Sequence, residues 1–526
     1  METTEHTELG NALPIANLSN NPYLRMDELG IMHIRLQRFD ENKLPIPMGL
    51  ELSVGEIIAM AGDFFTDANW TVDLELPKCG LFQNPTKLGK HLINTPIRPK
   101  EEDALIKAYN NLAAPDVTRK EIDRIYTITN AEYLPFSETL NFYAKQLMFY
   151  FRVKNYGEMI TRNQTHFTPW SIRVYVLGHT IALRYAHLAY ELRQTADSAF
   201  YQSKNPDFLS IKQLHNDKNE ALTSSKLRDL ADRYEALAFC MEFFTFHYYS
   251  DHFATGHMSM IGDLRVVLKE RFGMWGNILA NNLHDEVNRV GVYTINPYSE
   301  NQKPTQPPTR SRGDGKVDSC LNKFNRLGCL TGMTASLNDV QSVLKGGELP
   351  QQKHYAGLSH LPDVDYNSRQ HQPLLVFSKG KVYYRKELSN IKIVSPVEYE
   401  ALRDNPKSHG YSELKNSWDA FVLVCKLRLL PCVYTGAIKP IDDTRLKEIL
   451  ADEKTRNPER EPIQPPGCPF ENEATVFSWK SPRAVRPNKD LLDSMDGLKK
   501  FSLLKSKTHA ASGENMENEN TVKLGI

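Results

Sequence analysis

His247 and Asp251 stand four residues apart, and His257 follows six further on, in the run HYYSDHFATGH. At helical spacing the first two share one face, and the later histidine can turn back toward the same pocket. His284 and Asn288 repeat the four-residue interval on a second expected helix. Imidazole nitrogen and carboxylate oxygen are zinc ligands, and a site with open coordination positions can run metal-assisted hydrolysis. One such histidine alone is more often a hydrogen-bonded core residue. Several ligand-spaced pairs in one stretch argue for a metal centre.

Holding these side chains requires helices with inward faces. The segment before His247 is apolar at Ala236, Cys240, Phe243 and Phe244, so a helix from Lys226 carries His247 and Asp251 on its buried side. A second long helix, from Pro169 to about Arg193, aligns Ile172, Val176, His179, Leu183 and Tyr190. The loop from Asn163 to Pro169 carries His166, and a helical stretch from Val54 to Phe65 carries Asp63 behind Gly62. Glu101–Leu112 and Thr118–Tyr126 read as short amphipathic helices. Ser137–Phe151 reads as a stronger one, apolar at Leu140, Phe142, Tyr143, Leu147 and Tyr150. The stretches Pro77–Pro99 and 202–223 read as loop and turn.

After residue 298 the texture changes. Residues 299–319 are rich in Pro, Gly, Ser and charge without apolar period, the composition of a linker. Beyond it, Leu374–Arg385 predicts a β-hairpin, Ile391–Val394 a strand, and Pro396–Arg403 a helix. Trp418–Leu430 predicts an apolar helix or strand, with Trp418 and Phe421 assigned to core rather than to a docking patch. The fold class is therefore mainly α, a helical catalytic domain over 26–298 followed by a smaller α+β domain over 320–450. Residues 1–25 read as a disordered lead and 451–526 as a largely disordered, charged tail.

Bulk properties exclude several classes. Lys plus Arg and Asp plus Glu each number 64, so no global field recruits nucleic acid or anionic membrane. Seven cysteines without a CxxC pair fit reduced thiols rather than a disulfide framework. The polar amino terminus lacks the pattern of a cleaved signal, and no apolar run approaches a bilayer span. His187 reads as structural, and His252 as a residue behind the ligands or at the surface rather than a ligand. Ser53 and the pair Ser359-His360 have no nucleophile elbow around them. Gly313-Asp314-Gly315, beside Arg310 and Arg312, has phosphate-binding residue types, but its place in a linker speaks against that role.

The pattern His247-x3-Asp251-x5-His257, followed by His284-x3-Asn288, resembles the central signature of the zinc-dependent phospholipase C and P1 nuclease superfamily. The chain is most similar to the zinc metallophospholipase C branch of the Legionella and Pseudomonas fluorescens type. The likeness runs through Gly62-Asp63-Phe64, Asn163-x2-His166-Phe167, Tyr175-x2-Gly178-His179, Asp251–His257 and His284–Gly291. It covers roughly residues 50 to 295.

The resemblance implies two to three zinc ions. Asp63 and His166 would bind the first, with His247 and with Asp251 bridging, and Asp63 would also act as general base. His257 and His284 would hold another zinc, with Asn288 where the family has a glutamate. His179 would be a further ligand or a phosphate donor. Two departures stand out: Met1 is not expected to copy the chelating amino-terminal Trp of secreted members, and Asn288 is a neutral ligand in a carboxylate position.

The activity implied is hydrolysis of phosphatidylcholine or phosphatidylglycerol to diacylglycerol and a phosphorylated head group, at a membrane surface and without nucleic acid as partner. The missing signal and the acidic tail 513–520 further resemble a translocated bacterial effector, peripheral on host membranes. Two other readings stay open: a single-strand nuclease of the same superfamily, and a non-catalytic host-binding protein with a structural metal.

Overall fold

The computed structural model describes residues 1–15, 20–42, 44–66, 85–134, 138–154, 156–161, 164–198, 200–258, 261–298, 309–315, 317, 322–430, 433–434 and 437–438. The acidic tail and residues 451–526 lie outside the described residues, as does the first part of the expected loop, residues 77–84.

The chain opens with helix α1 (Thr3–Asn11) and an antiparallel sheet of β1 (Leu24–Met26), β2 (Met32–Phe39) and β3 (Pro45–Ser53), in that order. β3 runs straight into α2 (Val54–Met60). A capping box fixes the junction: Ser53 Oγ accepts from the Glu56 N–H, and Glu56 accepts from the Ser53 N–H. The segment read from composition as a disordered lead thus contains a helix and the start of a sheet. A nine-residue helix is unstable alone, and α1 is held by tertiary contact. It buries His6 and Leu9 and packs on α2. A Cβ on Gly10 would stand 2.6 Å from Gly55 Cα, and one on Gly55 2.1 Å from the Thr7 carbonyl oxygen. Only glycines allow that approach.

Next come α3 (Pro85–Asn94, inside a stretch expected as loop), α4 (Pro99–Leu112), α5 (Arg119–Asn130), α6 (Glu138–Arg152) and α7 (Tyr156–Thr161). Two 28-residue helices follow, α8 (Trp170–Asp197) and α10 (Ser224–Asp251), with α9 (Pro206–Asp217) between them. From Tyr234 to Asp251 every residue of α10 is buried, the mark of a central helix rather than an amphipathic surface one. α8 and α10 meet at Gly178, where a Cβ would collide with the Thr245 side chain.

The remainder comprises α11 (Ile261–Phe272), α12 (Met274–Val290), β4 (Val292–Ile295), β5 (Thr309–Ser311), α13 (Lys323–Leu344) and β6 (Asp363–Val364). Then follow β7 (Gln370–His371), β8 (Leu375–Ser378), β9 (Lys381–Arg385), β10 (Asn390–Ile391), β11 (Ile393–Val394), α14 (Pro396–Asp404), β12 (Tyr411–Leu414), α15 (Ser417–Leu429) and β13 (Ala437–Ile438). β8 and β9 form the expected hairpin, with Lys379 and Gly380 both at positive φ in its turn. The sheets are small: β5-β4-β6, β12-β9-β8, and the pairs β7–β11 and β10–β13. The described chain is mainly helical with these few sheets. None of its described helices is long and apolar enough to cross a membrane.

The cores do not divide at the expected linker. α13, placed by composition in the second domain, packs against α8 and α10 in the first core. α11 and α12, placed in the first domain, share a second core with β8, β9, β12 and α15. A buried ion pair fastens this arrangement: Arg385 of β9 donates to both oxygens of Glu286 of α12, at 3.0 and 2.9 Å. Part of the composition-read linker is structural too, because β5 pairs with β4. Composition reports the polarity of a segment; it does not report which core the flanking helices enter.

Candidate metal centre

α10 ends in the site. His247 donates from Nδ1 to the Ile58 carbonyl of α2 at 2.9 Å, which leaves the Nε2 lone pair facing the cluster. Nε2 lies 3.2 Å from His166 Nδ1, 3.5 Å from Asp251 Oδ2 and 4.0 Å from Asp63 Oδ1. His166, on a 3-10 turn (Gln164–His166), stands 2.6 Å from Asp251 Oδ2. Its loop is fixed by the Thr168 N–H, which donates to the His257 carbonyl at 2.9 Å. Gly62 is needed beside these rings. Its φ is +61°, and a Cβ there would lie 2.3 Å from His247 and 2.7 Å from His166.

Asp251 is the hub. Besides His166 and His247, it faces His257 Nδ1 at 3.6 Å and His6 Nε2 at 3.3 Å. It also pairs with the Met1 nitrogen, which lies 3.1 Å from Asp314. Burial alone would raise the Asp251 carboxyl. The Met1 ammonium, His257 and His247 outweigh burial and hold it well below the usual carboxylate range. The reverse holds for the amine: burial lowers it, and Asp251 and Asp314 push it up to about 12. Asp63 keeps 34% of its side chain exposed, on the open side of the cluster. Desolvation raises its carboxyl and Asp251 adds to that, against the pull of His166.

A second group joins it. His257, on the 3-10 turn after α10, and His284 of α12 converge on Asp314, at 3.9 and 3.1 Å. His284 donates from Nδ1 to Asp285 at 3.1 Å, a carboxylate–imidazole arrangement common behind metal ligands. Burial drives His257 down to about 3, whereas Asp285 and Asp314 overcome burial at His284 and raise it to about 9.

Three sets of side chains therefore bring ligating atoms together: His6, Asp63 and His247; His166, His247 and Asp251; His257, His284 and Asp314. They fit a cation. Ser250 gives its hydroxyl hydrogen to the Phe246 carbonyl, so it accepts from His6 Nδ1 and leaves His6 Nε2 as a bare lone pair. Nε2 of His6 and Nδ1 of His257 are buried without hydrogen-bond partners, and both face Asp251. Lone pairs aimed at a carboxylate repel unless a proton or a metal lies between. Three carboxylates meet one ammonium here, and the remaining negative charge also calls for a cation.

Of the positions read from the sequence, Asp63, His166, His247, Asp251, His257 and His284 come together. Asn288 sits beside them without offering a free oxygen: its Oδ1 accepts the Gly256 N–H, and its Nδ2 lies 3.3 Å from His284 Nε2. The carboxylate sought at that position comes instead from Asp314, inside the expected linker. His179 belongs to none of the three sets. It is buried between α8, α10 and α13, with Nδ1 2.9 Å from Glu242 and Nε2 3.5 Å from Asp339. Burial lowers its pKa, but Glu242 and Asp339 prevail and raise it to about 9.

Met1, His6 and Asp314 are the members that motif spacing did not reveal. The Met1 nitrogen reaches the site because α1 docks on α2, and it stands there as an ammonium paired with Asp251 and Asp314. Sequence held one signal for Asp314, an acidic residue between two glycines. Gly313 touches Asn288, and a Cβ there would collide with Oδ1. His252 lies outside the three sets and is buried rather than at the surface: Nε2 donates to the Pro362 carbonyl at 2.7 Å, and Nδ1 stands 2.8 Å from Ser171 Oγ. No protein-family model, curated protein or solved structure matches the chain.

Proposed function

We propose that this chain is a zinc-dependent phosphodiesterase of the phospholipase C type, cleaving the glycerol-side phosphodiester of a membrane phospholipid. The observation that carries the reading is the convergence of five histidines and three aspartates on Asp251 and Asp314, with bare imidazole nitrogens aimed at carboxylates. Nitrogen-rich donor sets with carboxylates favour zinc over magnesium or calcium. His6, Asp63, His166, His247 and Asp251 would hold metal on one side, and His257, His284 and Asp314 on the other. Zinc supplies Lewis acidity and a source of hydroxide at neutral pH.

The chain's own residues divide the remaining work. Asp63 is the proton acceptor, because it is the most exposed carboxylate of the cluster. Asp285 and Ile58 orient His284 and His247 by accepting their Nδ1 protons. Gly62 gives the rings room.

The deciding experiment measures phosphorylated head group released from phosphatidylcholine and phosphatidylglycerol vesicles by zinc-loaded protein, with metal content determined alongside and single-stranded DNA as a parallel substrate. Release that chelation abolishes and zinc restores supports the phospholipase. Cleavage of DNA alone would replace it with a nuclease. Stoichiometric zinc with no turnover on any phosphodiester would leave a structural metal.

A further inference from the structure

Helix α6 carries its apolar face outward. Leu147, Tyr150 and Phe151 are 54%, 62% and 69% exposed, and Phe142 and Tyr143 are nearly half exposed. Tyr143, Leu147 and Phe151 recur at intervals of four and Tyr150 stands three past Leu147, so these form one stripe with Phe142 at its edge. Phe149, on the opposite face, is buried against Phe64 and Tyr156. The helix is thus anchored by one ring beside Asp63 and leaves the rest of its aromatic side uncovered by the described residues.

α15 extends this surface. Arg428 donates to the Tyr143 hydroxyl at 3.0 Å and lies over its ring. Along α15, Ala420, Leu423, Val424 and Leu427 enter the core, whereas Trp418 is 68% and Leu429 70% exposed. The composition-based assignment of Trp418 to core is overturned, because it lies on the opposite side of the helix from the buried positions. Around Trp418 a groove is lined by Lys386, Lys415 and Lys426, with Lys407 paired to Glu413 and with Asp419 beside them. Among the described residues, the ammonium groups of Lys386, Lys415 and Lys426 have no carboxylate partner. Arg152 and Lys154 are exposed at the other end, just past Phe151.

This face adjoins the metal centre. From Tyr143 the contacts run to Arg428, then to Asp285 at 4.0 Å, then to His284 at 3.1 Å. We propose that the α6 stripe and the α15 rim form a docking surface for an anionic lipid bilayer. Aromatic and leucine side chains would enter the acyl boundary, and the unpaired lysines would meet lipid phosphates. Charge complementarity selects this occupant: Lys386, Lys407, Lys415 and Lys426 outnumber Glu413 and Asp419 in the groove, and Arg152 and Lys154 add to the same sign, as anionic lipid phosphates require. The inference deepens the phospholipase reading and rests on it for the placement of substrate at the site.

The test is co-sedimentation of the full chain with phosphatidylcholine vesicles, with and without phosphatidylserine, in parallel with hydrolysis of a short-chain soluble phosphodiester. The parent is expected to bind, more tightly with phosphatidylserine and less so at high salt. Tyr150→Ser with Phe151→Ser is expected to weaken binding at least about tenfold. Lys386→Glu, Lys415→Glu and Lys426→Glu are each expected to cost roughly fivefold on anionic vesicles only.

Soluble turnover and thermal unfolding should stay as in the parent, since these side chains are exposed. Vesicle binding unchanged in these variants would overturn the docking surface even if turnover proves the phospholipase. Binding without any turnover would leave the surface standing and sink the enzyme reading. A dimer in sedimentation velocity that the stripe variants dissolve would assign the face to a second copy. Protection of the stripe from hydrogen exchange by residues beyond 438, in the absence of vesicles, would assign it to the chain's own tail.

Discussion

Two histidine–carboxylate clusters are built on the same pair of helices, and they solve the burial of charge in opposite ways. At His179, the imidazole pairs with Glu242 on α10 and faces Asp339 on α13. Ser336 donates to Glu242, and Tyr175 lies 2.8 Å from Ser336. Two carboxylates face one ring and, against burial, raise its pKa to about 9, so the ring's own proton offsets one of the two charges. Further along α10, about two and a half turns past Glu242, burial pushes His247 and His257 down, so neutral rings rather than a protonated one face Asp251. The first cluster resembles a structural lock. The second is a set of donors spaced as a metal ion would need them. Residue type is the same in both; the protonation that burial and neighbouring charge impose on the rings separates them.

Asp251→Asn gives the sharpest break between the two. It keeps the shape but removes the charge shared by four histidines, and we expect a loss on the order of 10^3-fold in head-group release with lowered zinc content. Zinc content equal to the parent would show that Asp251 is no ligand. Gly62→Ala comes next. The new methyl would displace His247 and His166, and misplacement of that size costs about 10^2-fold in turnover while the His179 cluster is untouched. Metal analysis and kinetics together would check it.

Asp314→Asn tests the position that spacing assigned to Asn288. Binding at the His257–His284 side is expected to weaken by about 10- to 100-fold, removing one metal from the stoichiometry. Asn288→Ala should instead leave stoichiometry intact if its oxygen serves only Gly256.

The smallest effect sharpens the comparison from the other side. The folded His179 has a pKa of about 9 against an ordinary 6.5, so the folded state holds a proton that the unfolded chain releases first. Its stabilisation is complete below about pH 6.5 and disappears as pH rises through about 9. Denaturant midpoints should therefore fall over that window in the parent. In His179→Gln they should fall less, with zinc content unchanged. A drop in zinc content would return His179 to the ligand set.

Legibility followed the range of the interactions involved. His247 and Asp251 share a helical face, and an interval of four residues states that locally. The hairpin around Lys379-Gly380 is likewise local, because positive φ at the turn and flanking β-branched and aromatic residues act within a few positions. His6 and Asp314 were hidden because each lies in a polar segment whose order depends on docking against helices far along the chain. α6 was legible as a helix with its apolar period, but period alone does not say whether the apolar face meets core or solvent.

The amino-acid sequence by itself determined the helical class, the helices α8 and α10, and four side chains of the candidate metal centre (His247, Asp251, His257 and His284), since these rest on periodicity and ligand spacing; Asp63 and His166 came from the family resemblance. Tertiary structure decided the rest. It drew the Met1 nitrogen and His6 to Asp251 through the contact of Gly10 with Gly55, supplied Asp314 in place of Asn288, and withdrew His179 into its own ion pairs. The reason is physical. A ligand set is a property of distance in space, and side chains as far apart along the chain as His6 and Asp251 meet only where packing closes the gap.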